Sequence, residues 1–560
     1  MTEGILALLA AIPLATIFIL MVNLRWPATK AMPVAMGVTV ILVLFIWKTP
    51  LNLVLASGIN GIFVMLKIIL IVFGALTLLF TLKESGALGV INKGFSTISP
   101  DRRVQTIIIA WLFGGFLEGA AGFGVPAALV APLLLSLGFP ALASVMVALI
   151  ANTTPGPFGA VGTATIIGVG SSLNTPEVVS NLTAHGISYS QFIHQIGVWS
   201  AVQHSLPGIL MPLIMVVTLT RFFGEKRSFK EGLALWPYAI FAGLCFVIPY
   251  LAVAILLGPE FPSLLGSLIG LIILIPLTKA GFLQPKKIWD FPAKEKWENN
   301  WNGSITISDT VAKENISLYK AWTPYAFIAL LLVITRVGFL PISNWIKSVK
   351  YTTPALFGTT ITTDLDPLNN PGVLPFLLIA LLCIPFFTMN RKQVSVAWKE
   401  SVKRIRSPFI SLFFAVPMVQ IMIISGTNNH NFVSMPIALA QFMESLFKSA
   451  WPLADAFVAA LGAFMSGSNT VSNMLLSLFQ YSIADNLGIS HIIVVSMQNV
   501  GGSFGNMINV QKIITACAVV GLIGVEGLII KRTIIPMIIA ILITGVVGLL
   551  LVYYIVPGLF

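Results

Sequence analysis

Charge is what this sequence has least of. Only 9% of its 560 residues are Asp, Glu, Lys or Arg, against about 25% in ordinary soluble proteins. That is too little to cover a soluble body of this length, so lipid is the expected solvent for most of the chain. Acidic residues are scarcer than basic ones, 20 against 32, leaving a formal charge of +12. An excess of this kind could suit nucleic acid, but the basic residues sit in short clusters between apolar runs. Cytoplasmic loops beside anionic headgroups have that pattern, so membrane lipid is the expected partner and nucleic acid is not.

Cysteine is nearly absent too. Cys245, Cys383 and Cys517 lie inside apolar runs without metal-ligand spacing, which reads as small packing residues and no disulfide framework. There is no phosphate-binding Walker A pattern, no credible nucleophile–base constellation and no metal-ligand cluster. ATP-driven work and enzymatic chemistry are therefore not expected, and no cofactor or metal is called for. Met1-Thr2-Glu3 lacks the basic region of a cleavable signal. Positive charge instead follows the first apolar run, at Arg25 and Lys30, so that run is expected to be retained.

What the chain does have is apolar length: 57% of it is apolar, with a mean hydropathy of +0.95. Runs that approach the ~20 residues of a helical span occupy 4–22, 31–47, 61–82, 196–222, 233–257, 260–278, 321–341, 372–389, 408–425 and 533–557. The stretches 104–175 and 450–528 are apolar but interrupted by Gly, Pro and Asn, and each could hold two or three more segments. The expectation is an all-α polytopic membrane protein with about 12–14 membrane segments.

Lys and Arg set the orientation. Arg25/Lys30, Lys83 to Arg103, Arg221 to Lys230, Lys279 to Lys296, Arg391 to Arg406 and Lys531/Arg532 can all be cytoplasmic if the clear spans alternate, which puts both termini outside. The long polar insertion 279–320 then lies in the cytoplasm, where its two Asn-x-Ser sites, at Asn302 and Asn315, are accidental. Segment 390–407 reads as a basic amphipathic helix along the membrane surface.

The two interrupted regions echo each other. Gly115-Phe116-Leu117-Glu118-Gly119 corresponds to Ala463-Phe464-Met465-Ser466-Gly467, an offset of 348. Pro157-Phe158-Gly159 corresponds to Ser503-Phe504-Gly505, an offset of 346. At this offset 61–82 matches 408–425, yet the charge rule runs the first inward and the second outward. Basic 83–103 likewise matches 430–447, which is almost free of Lys and Arg. That is the pattern of an inverted-topology repeat. It divides the chain into a first transport repeat over 1–230, with breaks at 114–126 and 151–163, inter-repeat spans over 231–345, and a second repeat over 346–560, with breaks at 464–473 and 498–509.

Unwound backbone inside a bilayer is tolerated only where it is buried in protein or lines a watery cavity. Helix N-termini exposed at such breaks offer free amide donors and positive partial charge to an anion. Candidate substrate-binding residues are Asn152, Thr153, Thr154, Gly162, Thr163, Ser466, Ser468, Asn469, Thr470, Asn473, Asn499 and Asn506. The competing account is helix packing through small residues.

Glu118 is the leading candidate for proton coupling, since a carboxyl held among apolar residues can take up and release protons. It could instead cap free amides at the break. Lys67 and Arg336 are cations within spans that could attract an anion, or could snorkel to the nearby outer face. His204, His194 and His491 read as satisfied polar contacts rather than proton carriers. Asp455 and Glu526 carry little weight.

The segments FLEGAAGFGVPAA (116–128), ANTTPGPFGAVGT (151–163), FMSGSNTVSN (464–473) and QNVGGSFGNMIN (498–509) resemble the bacterial lactate permease family, which includes glycolate permeases. Their order and spacing, with the length and span count, extend the resemblance over essentially the whole chain. It implies a symporter of the bacterial cytoplasmic (inner) membrane that moves L-lactate, with D-lactate and glycolate, together with protons, so the partners are a small 2-hydroxymonocarboxylate and a proton. The residues alone imply only an ion-coupled carrier of a small anionic solute. A sodium-coupled or exchange carrier of another small organic anion stays open, as does a passive anion channel or receptor, although paired broken segments suit alternating access better.

Overall fold

The computed structural model describes residues 3–24, 26–122, 124–304, 316–336 and 341–560. Arg25 and Asn315 lie outside them. Among the described residues, eleven helices are long and apolar enough to cross a membrane. A twelfth is added if Ala141–Ala151 and Gly156–Leu173, bent by 67° across a short break, form one span. The fold is an all-α polytopic membrane protein with broken helices, and each sequence-predicted run is mainly helical over its described residues. The first two runs are Glu3–Met21 and Ala28–Phe45. The third is the long helix Leu51–Ser85, stopped by Gly86 at φ 88°.

Local chemistry sets the helix ends. Ser188 and Gln191 form a reciprocal cap at the start of Tyr189–Phe223, and Asn390 with Gln393 does the same for Arg391–Ile424. Such pairs satisfy two of the orphan amides of a first turn. The surface helix expected over 390–407 proves instead to be the first part of the continuous helix Arg391–Ile424, with Pro408 and Pro417 inside it. The reason is the cap: one N-terminus at Asn390 serves the whole run, and the amphipathic stretch leads straight into the apolar one.

Between Ser99 and Leu173 the chain does not simply cross. Arg102–Ala121 enters the core, turns through Gly122 and Gly124 (φ 59° and 78°), and returns as Val125–Ser136. The hairpin is closed at its base, where the Arg102 guanidinium donates to the Leu137 carbonyl at 2.6 Å. The second half repeats the plan. Trp451–Ser466 ends at Gly467 (φ 83°) and Asn469–Leu487 turns back, followed by His491–Gly505, a break at Asn506–Asn509, and Val510–Ala518.

The two halves present these hairpins to opposite faces. One face gathers the basic clusters. There Arg103 pairs with Asp101 at 2.7 Å, Lys296 with Glu225 at 2.6 Å, and Arg227 with Glu298. The loop at Ser304 bonds to Gly521 on the same face. The Arg227 guanidinium, as a hydrogen-bond donor, holds Glu298 below the usual carboxylate range. The other face joins Asn181 to Tyr481 at 2.8 Å and the Ser490 hydroxyl to the Phe560 carbonyl at 2.9 Å. It also carries a two-residue antiparallel pairing, Tyr351 with Leu365 and Thr352 with Asp364.

Helices Leu51–Ser85 and Arg391–Ile424 pack on one another, and Gly372–Phe386 lies against the first of them. Lipid offers no hydrophobic drive between spans, so close approach through small residues has to supply the packing. At Gly74 an added Cβ would lie 1.9 Å from the Gly372 carbonyl oxygen, and one at Gly372 2.2 Å from that of Leu70. Gly74→Ala is therefore expected to destabilise the detergent-solubilised protein by about 1–3 kcal/mol, as overpacking does. A lower Tm for Gly74→Ala, with Gly37→Ala unchanged because nothing lies within 4 Å of its Cβ position, checks this.

Candidate functional site

The broken segments of the two halves meet at the centre of the molecule. Asn499, on His491–Gly505, ties them together. Its amide nitrogen donates to Thr165 Oγ1 at 2.8 Å and to Ser200 Oγ at 3.1 Å. Its side-chain oxygen accepts from Asn473 at 2.8 Å and Asn469 at 3.1 Å. Asn473 also donates to the Ala164 carbonyl at 3.0 Å, and Ser503 donates to the Thr153 carbonyl at 2.5 Å. All of these side chains are buried. The net continues outward, with Gln498 donating to Ser472, Gln480 to Gln498, and Trp451 to Gln480.

Beside this net sits Glu118, 4% exposed. Its Oε2 accepts from the Asn152 side chain at 2.7 Å. A Cβ on Gly159 would lie 2.7 Å from Oε1, so the glycine there is what admits the carboxylate. Backbone in the left-handed region follows at Ala160, Val161 and Gly162 (φ 46°, 54° and 73°). Such strain is costly outside glycine, and here it is enclosed by packing: a Cβ on Gly162 would lie 2.3 Å from the Pro259 carbonyl.

The sequence-predicted residues divide by what they touch. Ser466 and Ser468 line a cavity of about 1070 Å³ that opens among Lys83, Glu84, Glu400, Lys403 and Arg404 and reaches in to Gly124 and Lys512. Thr163 lines a second cavity, of about 1330 Å³, on the opposite side of the breaks with Asn60, Lys67, Ser171 and Gln420. Asn152, Thr153 and Thr154 are buried around Glu118: Thr154 accepts from the Trp111 indole at 3.0 Å, while Asn152 holds the carboxylate. Asn473 and Asn499 are committed to the inter-half net. Thr470 is buried, its backbone against Gly168. Asn152, Asn469 and Asn506 each keep a buried side-chain oxygen with no partner among the described residues.

Lys67 does not stand as a free cation. Asp366, beside the short strand pairing, holds its ammonium at 2.9 Å. Arg336 closes the helix Leu318–Arg336, and its side chain lies outside the described residues. His204, expected to be a satisfied polar contact, has neither ring nitrogen partnered among the described residues. It stacks on Phe504 at 4.8 Å instead. Tyr250 Oη and Ser267 Oγ nearby are also unpartnered, as are both oxygens of Asp455. His491 meets Asp485 at 3.1 Å.

Sequence reasoning missed Thr165, Ser200, Gln498 and Lys512. Ser200 lies inside a run read as a plain span, Thr165 just past one break and Gln498 at the first position of another, and only tertiary contact shows what they hold. Lys512 carried a signal: it is a cation three residues past a break, in the segment 510–518 that follows it. It was overlooked because it forms no cluster.

The whole chain can be compared with known proteins. The family model described as L-lactate permease matches residues 6–555. A Haemophilus influenzae relative is 30% identical over 96% of this chain and 94% of its own length. The L-lactate permease of Escherichia coli is 27% identical, over 98% of this chain and 96% of its own. The E. coli glycolate permease GlcA is 25% identical over the same shares. Among solved structures, the YdaH transporter of Alcanivorax borkumensis aligns with a TM-score of 0.39 and 15% identity, covering 86% of this chain and 84% of its own. The chain belongs to the L-lactate permease family, and is a multi-pass membrane permease.

Loss of Asn499 is expected to strand several buried partners at once, each unmade hydrogen bond costing about 1–3 kcal/mol. Asn499→Ala should therefore lower the Tm far more than Ser200→Ala, which removes one of its contacts. Thermal unfolding of the two purified variants compares them directly.

Proposed function

We propose that the protein is a proton-coupled symporter that carries L-lactate, together with D-lactate and glycolate, across the bacterial cytoplasmic membrane. The observation that carries the reading is Glu118: one carboxylate, buried at the junction of the two broken segments and held by Asn152. Such intramembrane carboxyls serve as proton carriers. Relatives named for L-lactate and for glycolate support the substrate class. The two substrates differ by one methyl, which a pocket discriminates by only about 1–3 kcal/mol, so overlap is expected.

In this reading residues 1–230 and 346–560 are the two transport repeats. The basic face is cytoplasmic and both termini are outside, as the distribution of Lys and Arg requires. The substrate lies between the cavity that reaches Ser466 and Ser468 and the one that reaches Thr163, and alternating access passes it from one to the other. The two ends of the pathway are closed to each other by the Asn499 net. Protonation of Glu118 cancels the one acidic charge at the junction, so that an anion can enter beside it.

Reconstituted protein should accumulate labelled lactate when a proton gradient is imposed. Accumulation driven only by a sodium gradient would overturn proton coupling, and accumulation of another anion in place of lactate would overturn the substrate. Glu118→Gln is expected to reduce proton-driven accumulation to the level of protein-free liposomes while lactate–lactate exchange persists. Wild-type accumulation in that variant would remove Glu118 from coupling.

A further inference from the structure

Lys512 is the least explained charge in the molecule. It lies in the first turn of Val510–Ala518, just past the second break, with its backbone N–H donating to Asn509 Oδ1 at 2.9 Å. The residue is 8% exposed. The stem runs along the tip of the first hairpin, where a Cβ on Gly124 would lie 3.2–3.4 Å from Cγ, Cδ and Cε. A side chain there would crowd the stem, and Gly124 also has φ 78°.

Two other basic residues within the span helices are matched. Lys67 has Asp366, and Arg532 approaches Glu298 at 4.0 Å while lying over the rings of Phe222 and Phe223. Among the described residues, Lys512 has neither a hydrogen bond nor an ion pair at its ammonium. Glu118 stands in the last turn before the same tip, where the Gly122 N–H donates to its carbonyl at 3.0 Å, and Glu118 and Lys512 act on each other's charge. The Lys512 ammonium reaches the wall of a cavity without a direct ion pair, and cations placed this way inside a membrane protein mark the path of an anion.

Lys512 also lines the deep end of the basic-face cavity with Ser466, Ser468 and Gln511. The remaining charges of that cavity, Lys83, Glu84, Glu400, Lys403 and Arg404, belong to Leu51–Ser85 and Arg391–Ile424 at its mouth. Other titratable groups buried in helices around the breaks include His204, Tyr250, Asp455 and, on Lys512's own helix, Cys517. On Glu526–Leu550, Glu526, Lys531 and Arg532 lie toward the basic face.

We propose that the Lys512 ammonium receives the substrate's carboxylate at the junction of the two hairpin tips, and that ionised Glu118 is its resident competitor. While Glu118 is ionised, its charge satisfies Lys512 and the incoming anion is disfavoured. When a proton from solution adds to the Glu118 carboxylate, Lys512 is left without a counter-charge and the substrate anion takes that place. One anion and one proton then load together, and the charge of the site is the same before and after. This rests on the proton-symport reading and names the group that links its two ligands.

The wild-type protein supplies the first test. Reductive methylation with formaldehyde and cyanoborohydride near neutral pH, followed by mass spectrometry, measures the access of each lysine. Lactate and glycolate should slow modification of Lys512 with the half-saturation seen in transport, and leave Lys83 and Lys403 unaffected. Uptake by the wild type with Lys512 modified equally fast at saturating substrate would overturn this assignment alone. Failure of the wild type to accumulate either acid would overturn the transport reading with it.

Kinetics supply the second test. Lys512→Gln should raise KM for lactate by about tenfold or more, the loss of one charge-assisted contact. In the wild type KM should rise with pH, because ionised Glu118 then occupies Lys512, and in Glu118→Gln that dependence should vanish. An unchanged KM in Lys512→Gln, or a pH dependence that survives in Glu118→Gln, would overturn the proposal.

Discussion

A backbone that leaves its helix inside a bilayer loses water as a partner, and each freed amide or carbonyl must find protein. The rest of this structure depends on how that demand is met. The segment 152–165 of one half is held in part by side chains of the other. Asn473 takes the Ala164 carbonyl, Ser503 the Thr153 carbonyl, and Asn499 the Thr165 hydroxyl. The second break is held within its own half, with Asn509 donating to the Phe464 carbonyl and Thr533 to that of Met507. Where the halves meet lies a buried polar junction with a cavity on either side.

The long helices serve that meeting. Leu51–Ser85 and Arg391–Ile424, at corresponding places in the two halves, pack on each other through positions such as Gly61, where a Cβ would strike Pro417 at 2.4 Å. Rigid spans in contact can carry two hairpins as bodies, whereas the junction is made of hydrogen bonds that can be exchanged for others. Unpartnered oxygens on Asn152, Asn469 and Asn506 and the bare ring of His204 show where bonding capacity is left over. A carrier needs such capacity, since a junction with every group satisfied would gain nothing from a solute.

Much of this was readable in advance, for identifiable reasons. Apolar length marks a span whatever surrounds it, and Gly122, Gly124 and Gly467 marked turns because only glycine takes those backbone angles without strain. The Gly–Phe echoes at offsets of 348 and 346 marked corresponding breaks. The segment 390–407 was misjudged as separate because amphipathic pattern describes the environment of a helix and says nothing of where it ends. The partner of Lys67 was not readable, because Asp366 is 299 residues away along the chain and close only in space.

The sequence by itself determined the solvent, the spans, the places where helices break and the family, since each depends on local composition or on motifs that are contiguous. Only the tertiary structure decided which polar residues hold the junction and which face a cavity. It made Asn499 a tie between halves, left Ser466 and Ser468 on a cavity wall, and set Lys512 against Glu118 across 394 positions of chain. The physical reason is that charge and hydrogen bonding act over a few ångströms of space. Which groups fall within that reach is fixed by how the helices pack, and a buried charge acquires its role from the neighbour that packing brings to it.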